Sequence, residues 1–105
     1  MPDAPARVGP VALTNAAVTI YTTPAATSMT LRNIHVANEG ATDEQFTLSI
    51  GVDAAGLRLY RSVEVPGNGA FDWSGYLPLL TGEILEAFAS VSGQLTITIG
   101  GVETT

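Results

Sequence analysis

The chain has 105 residues, of which 13% are charged, with no cysteine and a formal net charge of −6. Its length fits one compact core with no second module, and without cysteine no disulfide framework is possible. Arg7, Arg32, Arg58 and Arg61 are the only strong cations and are scattered along the chain, which disfavours a phosphate-binding surface.

Residues 1–10 contain Pro2, Pro5 and Pro10 and little to bury. They read as an extended N-terminal arm, either disordered or ordered against a neighbouring subunit, with residues 11–105 forming a single β-sandwich domain. Met1–Pro10 has no basic start followed by an apolar stretch, so a signal peptide is not expected. No apolar run approaches the roughly 20 residues needed to span a bilayer. The expectation is a protein made in the cytoplasm, with no membrane partner.

From Val11 to Thr23 an extended region contains Val18-Thr-Ile-Tyr21, and Met29–Asn38 follows after a short loop. In that segment Leu31 falls on one face by parity, while Ile34 and Val36 fall on the other. A bulge near Arg32-Asn33 restores a single apolar face, because one inserted residue reverses the parity; a strand buried on both faces also fits. Asn38–Asp43 is a turn cluster. Phe46, Leu48, Ile50 and Val52 then alternate with Thr47, Ser49 and Gly51, the pattern of a half-buried antiparallel strand. Asp53-Ala-Ala-Gly56 supplies a connection to a run with Leu57, Leu59, Val63 and Val65 in phase and Arg61 breaking the face, so residues 44–65 read as a hairpin.

Pro66-Gly-Asn-Gly69 is a further turn before a short strand carrying Phe71 and Trp73. Gly75–Gly82 reads as an irregular apolar bridge around Pro78. Glu83–Val91 is ambiguous: Leu85, Ala87, Ala89 and Val91 alternate, yet Ile84–Phe88 has fair helical propensity. Strands on both sides decide for β. Leu95-Thr-Ile-Thr-Ile99 alternates cleanly and ends at Gly100-Gly101. About eight short strands suit an all-β antiparallel sandwich, jelly-roll-like or immunoglobulin-like.

Catalytic chemistry has little to stand on. His35 has no second His or Cys in its local sequence, as proton transfer or metal ligation would want, so it reads as a structural or surface residue. Trp73-Ser-Gly75 lacks the Gly-x-Ser-x-Gly frame of a serine nucleophile. Asp43, Glu44, Asp53, Asp72, Glu83 and Glu86 could pair for glycoside hydrolysis, but a sandwich this small has little material for a deep cleft. Calcium is the least implausible ion, yet its usual loop spacing is absent. Tyr60, Phe71, Trp73 and Tyr76 could form a sugar-stacking platform, although Phe71 and Trp73 fit a core better. No catalytic, cofactor-binding or metal-binding residue is assigned, and no enzymatic activity is expected.

The order of the strand and turn elements does carry a resemblance. Leu31-x-x-Ile34-x-Val36-x-Asn38 precedes Phe46–Asp53, then Leu79-Leu-Thr-Gly-Glu83-x-Leu85-x-Ala87-x-Ala89, and finally Leu95–Glu103. Over about residues 28–103 this resembles the small β-sandwich virion proteins of tailed bacteriophages, which serve as capsid decoration proteins, minor head or tail proteins and fibre modules. The resemblance implies a structural protein located in the virion, partnered by the major capsid protein or other virion proteins and by its own copies, a homo-oligomer with a trimer favoured. It implies no catalytic residue, and only a structural role for Gly82-Glu83. The acidity suits the outside of a DNA-filled shell. A minor tail or fibre component is the alternative, and a carbohydrate-binding module a further one.

Overall fold

A computed structural model describes residues 3–51 and 58–105. The described residues hold eight strands and no helix: β1 (Asp3–Ala12), β2 (Val18–Thr22), β3 (Ser28–Asn38), β4 (Glu44–Ile50), β5 (Arg58–Val65), β6 (Ala70–Leu79), β7 (Ile84–Ala89) and β8 (Leu95–Thr104). They form two four-stranded antiparallel sheets in the orders β1-β8-β3-β6 and β2-β7-β4-β5. Only the β4–β5 connection stays within one sheet; every other one crosses between sheets. That interleaving is the eight-stranded jelly roll, which decides between the two sandwich types expected.

The core lies between the sheets. Leu31, Ile34 and Val36 of β3 and Leu95, Ile97 and Ile99 of β8 face Phe46 and Leu48 of β4 and Leu85 and Ala87 of β7, all of them buried. The β3 bulge falls where parity requires it: register shifts between Leu31 and Asn33 against both β6 and β8. Arg32 and Asn33 are therefore both exposed, while Leu31 and Ile34 share the core face. Asn33 Oδ1 accepts the Gly100 N–H at 2.8 Å, which ties the bulge to β8.

Four elements differ from the sequence expectation. Residues 3–10 do not stand off as an arm; they pair along β8 from Asp3↔Thr104 to Val8↔Ile99. β1 lies at a sheet edge, where Pro5 and Pro10 can lack N–H groups without breaking a ladder, and the register shifts between Val8 and Val11 around Pro10. β6, also an edge strand, continues through Pro78 to Leu79 for the same reason, so the expected bridge is largely strand. β8 does not stop at Gly100-Gly101 but runs to Thr104, held by β1 on one side and β3 on the other. In β5 the register shifts between Phe46↔Val63 and Leu48↔Tyr60. Ser62 takes a φ of 51° there, and its N–H donates to Thr47 Oγ1 at 3.0 Å.

That β5 bulge turns Tyr60 toward the core, where Phe46 and Phe71 meet it at ring centroid distances of 6.0 and 5.2 Å. With the 5.2 Å Phe46–Phe71 contact, the three rings clasp the sheets on the β5–β6 side. Each such pair contributes about 0.5–1.5 kcal/mol beyond its buried area. β4 is buried on both faces, because Thr47 and Ser49 are covered as well as Phe46 and Leu48. The expected Asp53–Gly56 turn, and the placements of Val52 and Leu57, lie outside the described residues.

At the opposite edge, the Tyr21 hydroxyl on β2 donates to Glu103 Oε2 on β8 at 2.6 Å and joins the sheets. Burial first, then the hydrogen bond and charge of Glu103, push the Tyr21 hydroxyl well above its ordinary value. The neutral phenol is thus favoured by folding. Its stabilisation is present below an unfolded-state pKa of about 10 and is lost as pH rises through the folded-state value. Urea midpoints are expected to fall more steeply above about pH 10 in wild type than in Tyr21→Phe. Tyr60, raised by burial, leaves a residual slope in both. Equal slopes would sink this reading of Tyr21.

Candidate interaction surface

One face of the molecule is distinguished by what it lacks. Alternation along β8, β3 and β6 turns Leu95, Ile97, Ile34, Val36 and Phe71 inward and sends their neighbours outward. In register, Thr96, Ala37 and Ala70 form one outward row and Thr98, His35 and Asp72 the next. Asn33 and Ser74 follow beside Gly100. The result is a sheet face on which small neutral side chains surround the exposed His35 and Asp72, with Arg32 on β3 and Arg7 on β1 exposed beside them.

The charged groups on this face are mostly engaged. His35 Nδ1 lies 2.5 Å from Asp72 Oδ1, and both side chains are largely exposed. Exposed pairs of this kind add little stability, about 0–1 kcal/mol. The Arg32 guanidinium sits 4.4 Å from the centroid of the Tyr76 ring. Thr96 Oγ1 donates to Glu39 Oε2 at 3.3 Å. Ser74 lies two residues beyond Asp72 on the same face.

Beside this face, the β3–β4, β5–β6 and β7–β8 connections gather at one end of the sandwich, organised by Asn38. Its Nδ2 donates to Thr42 O at 2.8 Å and Val65 O at 3.0 Å. Its Oδ1 accepts from Gly40 N at 2.9 Å and Gln94 Nε2 at 3.0 Å. All four hydrogen-bonding positions of the amide are used. Asn68 N–H donates to Gly40 O at 2.8 Å, which fastens residues 66–69 to residues 38–43.

Most of the acids that could have suggested a catalytic pair serve loops and strand edges instead. Asp43 Oδ1 accepts from Gly67 N, and Glu44 accepts from Thr42 Oγ1 and Ser90 Oγ. Glu86 Oε2 accepts from Thr19 Oγ1. Glu83 Oε1 accepts the Leu80 N–H at 2.7 Å, while Gly82 adopts a φ of 84°, so this step builds a turn. Asp53 lies outside the described residues. Among the described residues no three His, Asp or Glu side chains converge as a metal site, and no helix is long and apolar enough to cross a membrane.

The four aromatics do not form one platform. Phe71 and Trp73 face the core side of β6, and Tyr60 packs against Phe71. Tyr76 points the other way and is 74% exposed. Asn38 and Gly100 are structural residues that sequence reasoning missed. Their signal is a turn-initiating Asn and a glycine opposite a bulge, which become legible only with the pairing known.

No protein-family model matches the chain, and no curated protein matches it significantly. Solved structures superpose on it to different degrees. A protein of the Bacillus endospore appendages, described as a family of disulfide-linked pili, superposes with a TM-score of 0.55 at 7% identity, over 99% of this chain and 85% of that one. A protein of infectious bursal disease virus, Gx strain, gives a TM-score of 0.45 at 11% identity, over 96% of this chain and 33% of that one. The disulfide linkage named for the appendages has no counterpart among these 105 residues, which include no cysteine. The appendage likeness is one of fold: a jelly roll built on a sequence of its own.

Proposed function

We propose that this chain is a non-enzymatic structural subunit, and more specifically a decoration protein bound to the outer capsid surface of a tailed bacteriophage. The observation that carries the reading is the outer face of the β1-β8-β3-β6 sheet, where Thr96, Thr98, Ala37, Ala70 and Ser74 surround a His35–Asp72 pair whose charges already face each other. Such a face packs against another protein with little charge desolvation, the larger obstacle to burying a polar surface. The partner is the major capsid protein, and the chain acts as a symmetric homo-oligomer, a trimer where the shell presents threefold positions. A net charge of −6 favours the outside of the shell over contact with packaged DNA.

A minor tail or fibre component is the second reading, supported by the near-full-length overlap with an appendage subunit. The carbohydrate-binding alternative needs Trp73 and Tyr76 on one surface, and they lie on opposite sides of β6.

Immunogold labelling of particles from the source is expected to place this protein over the heads. Label confined to tails makes the second reading correct. Absence from intact particles and from mass spectra of disrupted ones removes the virion assignment. Thr98→Lys, at the centre of the face, is expected to reduce head binding at least tenfold without changing the melting temperature.

A further inference from the structure

β1 buries little of itself. Of its ten residues only Val8 is buried, while Ala6 and Val11 are partly packed against the core. It pairs on one side only, with β8. Just beyond it the chain is firmly rooted: Leu13 is fully buried, its N–H donates to Leu95 O at 2.8 Å, and its carbonyl accepts Gly93 N–H at 2.9 Å. Between this root and the strand tip lies Gly9, at a φ of 85° and inside the register shift from Val8 to Val11. Asp3–Val8 is therefore a short strand joined through a glycine to a fixed base. Segments with few buried contacts open at far less than the global unfolding free energy.

Opening this strand uncovers a defined acceptor. β8 then presents an unpaired row of N–H and C=O groups from Thr104 to Ile99, beside the place Val8 leaves in the core. Such an edge takes up another strand, and inward side chains set its register. The segment that fits it is already in the structure, Asp3–Val8 itself. The outer edges of this sheet are β1 and β6, and both carry proline, at Pro5, Pro10 and Pro78, which blunts strand addition there. A second copy thus joins the sheet more readily at the position β1 vacates than outside it. Asp3–Val8 spans about 20 Å when extended, comparable with the 25 and 19 Å short axes of the molecule, so it reaches a copy packed alongside.

We infer that Asp3–Val8 of one copy pairs with β8 of a second copy, in the place of that copy's own strand. The exchange rests on the assembly reading and deepens it by naming the segment through which copies associate. Contacts between β1 and β8 are recreated between chains, so the closed and exchanged forms differ mainly at the hinge. Passed from copy to copy around a ring, the exchange closes in a symmetric oligomer. Gly9 sets the balance. A Cβ there would meet Ile97 O at 2.6 Å and Val11 N at 2.7 Å in the closed chain, and a residue before proline favours extended backbone. Gly9→Ala therefore strains the closed form and spares the open one, strengthening association by about tenfold per strand exchanged.

The test uses sedimentation velocity after refolding from urea at high concentration, where strands exchange freely. Wild type is expected to form oligomers, and Gly9→Ala to form them at lower concentration. A double variant, Asp3→Cys with Thr104→Cys, locks the strand, because the chain has no cysteine of its own and Asp3 pairs with Thr104. Facing residues of an antiparallel pair lie about 4.5–5.5 Å apart, within reach of a disulfide. Oxidised as a dilute monomer, this variant is expected to stay monomeric and folded when concentrated, and to associate once reduced and refolded. Oxidised after association, it is expected to run as linked chains on non-reducing gels. Locked protein that associates at wild-type strength overturns the inference, as do oligomers whose disulfides all lie within single chains. It also fails if wild type stays monomeric at its highest soluble concentration, or if Gly9→Ala associates no more tightly than wild type. Head labelling without strand exchange would leave the decoration reading standing and this contact refuted; exchange without head labelling would do the reverse.

Discussion

Asn38→Ala is expected to destabilise the protein by about 3 kcal/mol, which lowers the melting temperature by on the order of 15 °C. The side chain is 3% exposed, and its amide serves three separate segments through Gly40, Thr42, Val65 and Gln94. Truncation leaves Gly40 N–H without this acceptor and Val65 O without this donor. Stranding a buried polar group costs about 1–3 kcal/mol, and a small cavity adds to it. Thr42 O keeps a donor in Gln94 Nε2 at 2.8 Å, which limits the loss. The isosteric Asn38→Asp separates hydrogen bonding from shape: it preserves volume but aims carboxylate oxygens at two carbonyls. It is expected to be at least as destabilising as alanine at neutral pH. Urea denaturation of both variants checks this, and an aspartate variant near wild-type stability would show that packing alone holds the loops.

Gly101→Ala is expected to have an effect of similar size through repulsion. A Cβ at this position would lie 2.2 Å from the Thr30 carbonyl oxygen and 2.8 Å from Met29 Cε. Thr30 pairs in register with both Val102 and Pro78, so its backbone is fixed from two sides and cannot retreat without disturbing β3. Overpacking of this kind costs about 3 kcal/mol, a large part of the roughly 5–15 kcal/mol available to a domain. The neighbouring glycine supplies a control. A Cβ on Gly100 meets the Asn33 amide oxygen at 2.5 Å, the end of a side chain that can swing away. Gly100→Ala is therefore expected to lose mainly one hydrogen bond, about 1 kcal/mol. Equal losses at the two positions would contradict this assignment of fixed and movable obstacles. The proposed interaction face depends on the same pairing, because Thr96 and Thr98 face outward from β8 where it lies between β1 and β3.

The amino-acid sequence alone determined the class of the fold and much of its strand content. Alternation of Phe46, Leu48 and Ile50, and of Leu95, Ile97 and Ile99, marks strands with an apolar side, because a strand turns successive side chains to opposite faces. The parity break in β3 located its bulge for the same reason, and the alternation of Leu85, Ala87 and Ala89 outweighed local helical propensity. Tertiary structure decided the elements whose signal comes from a partner strand. Asp3–Ala12 and the Pro78 segment carry proline and little alternation, and become strands only because edge positions leave one side of the ladder unpaired. Gly100-Gly101 reads locally as a terminator, yet it is required where β8 passes close to the β3 bulge. The phase of Tyr60 depends on an irregular register with β4, which parity within β5 cannot reveal. The interaction face is equally non-local: Thr98, His35 and Asp72 are distant in sequence and become one row through pairing of β8, β3 and β6. Side-chain periodicity is a property of one strand, whereas neighbours, edges and close approaches are properties of the sheet that the strand joins.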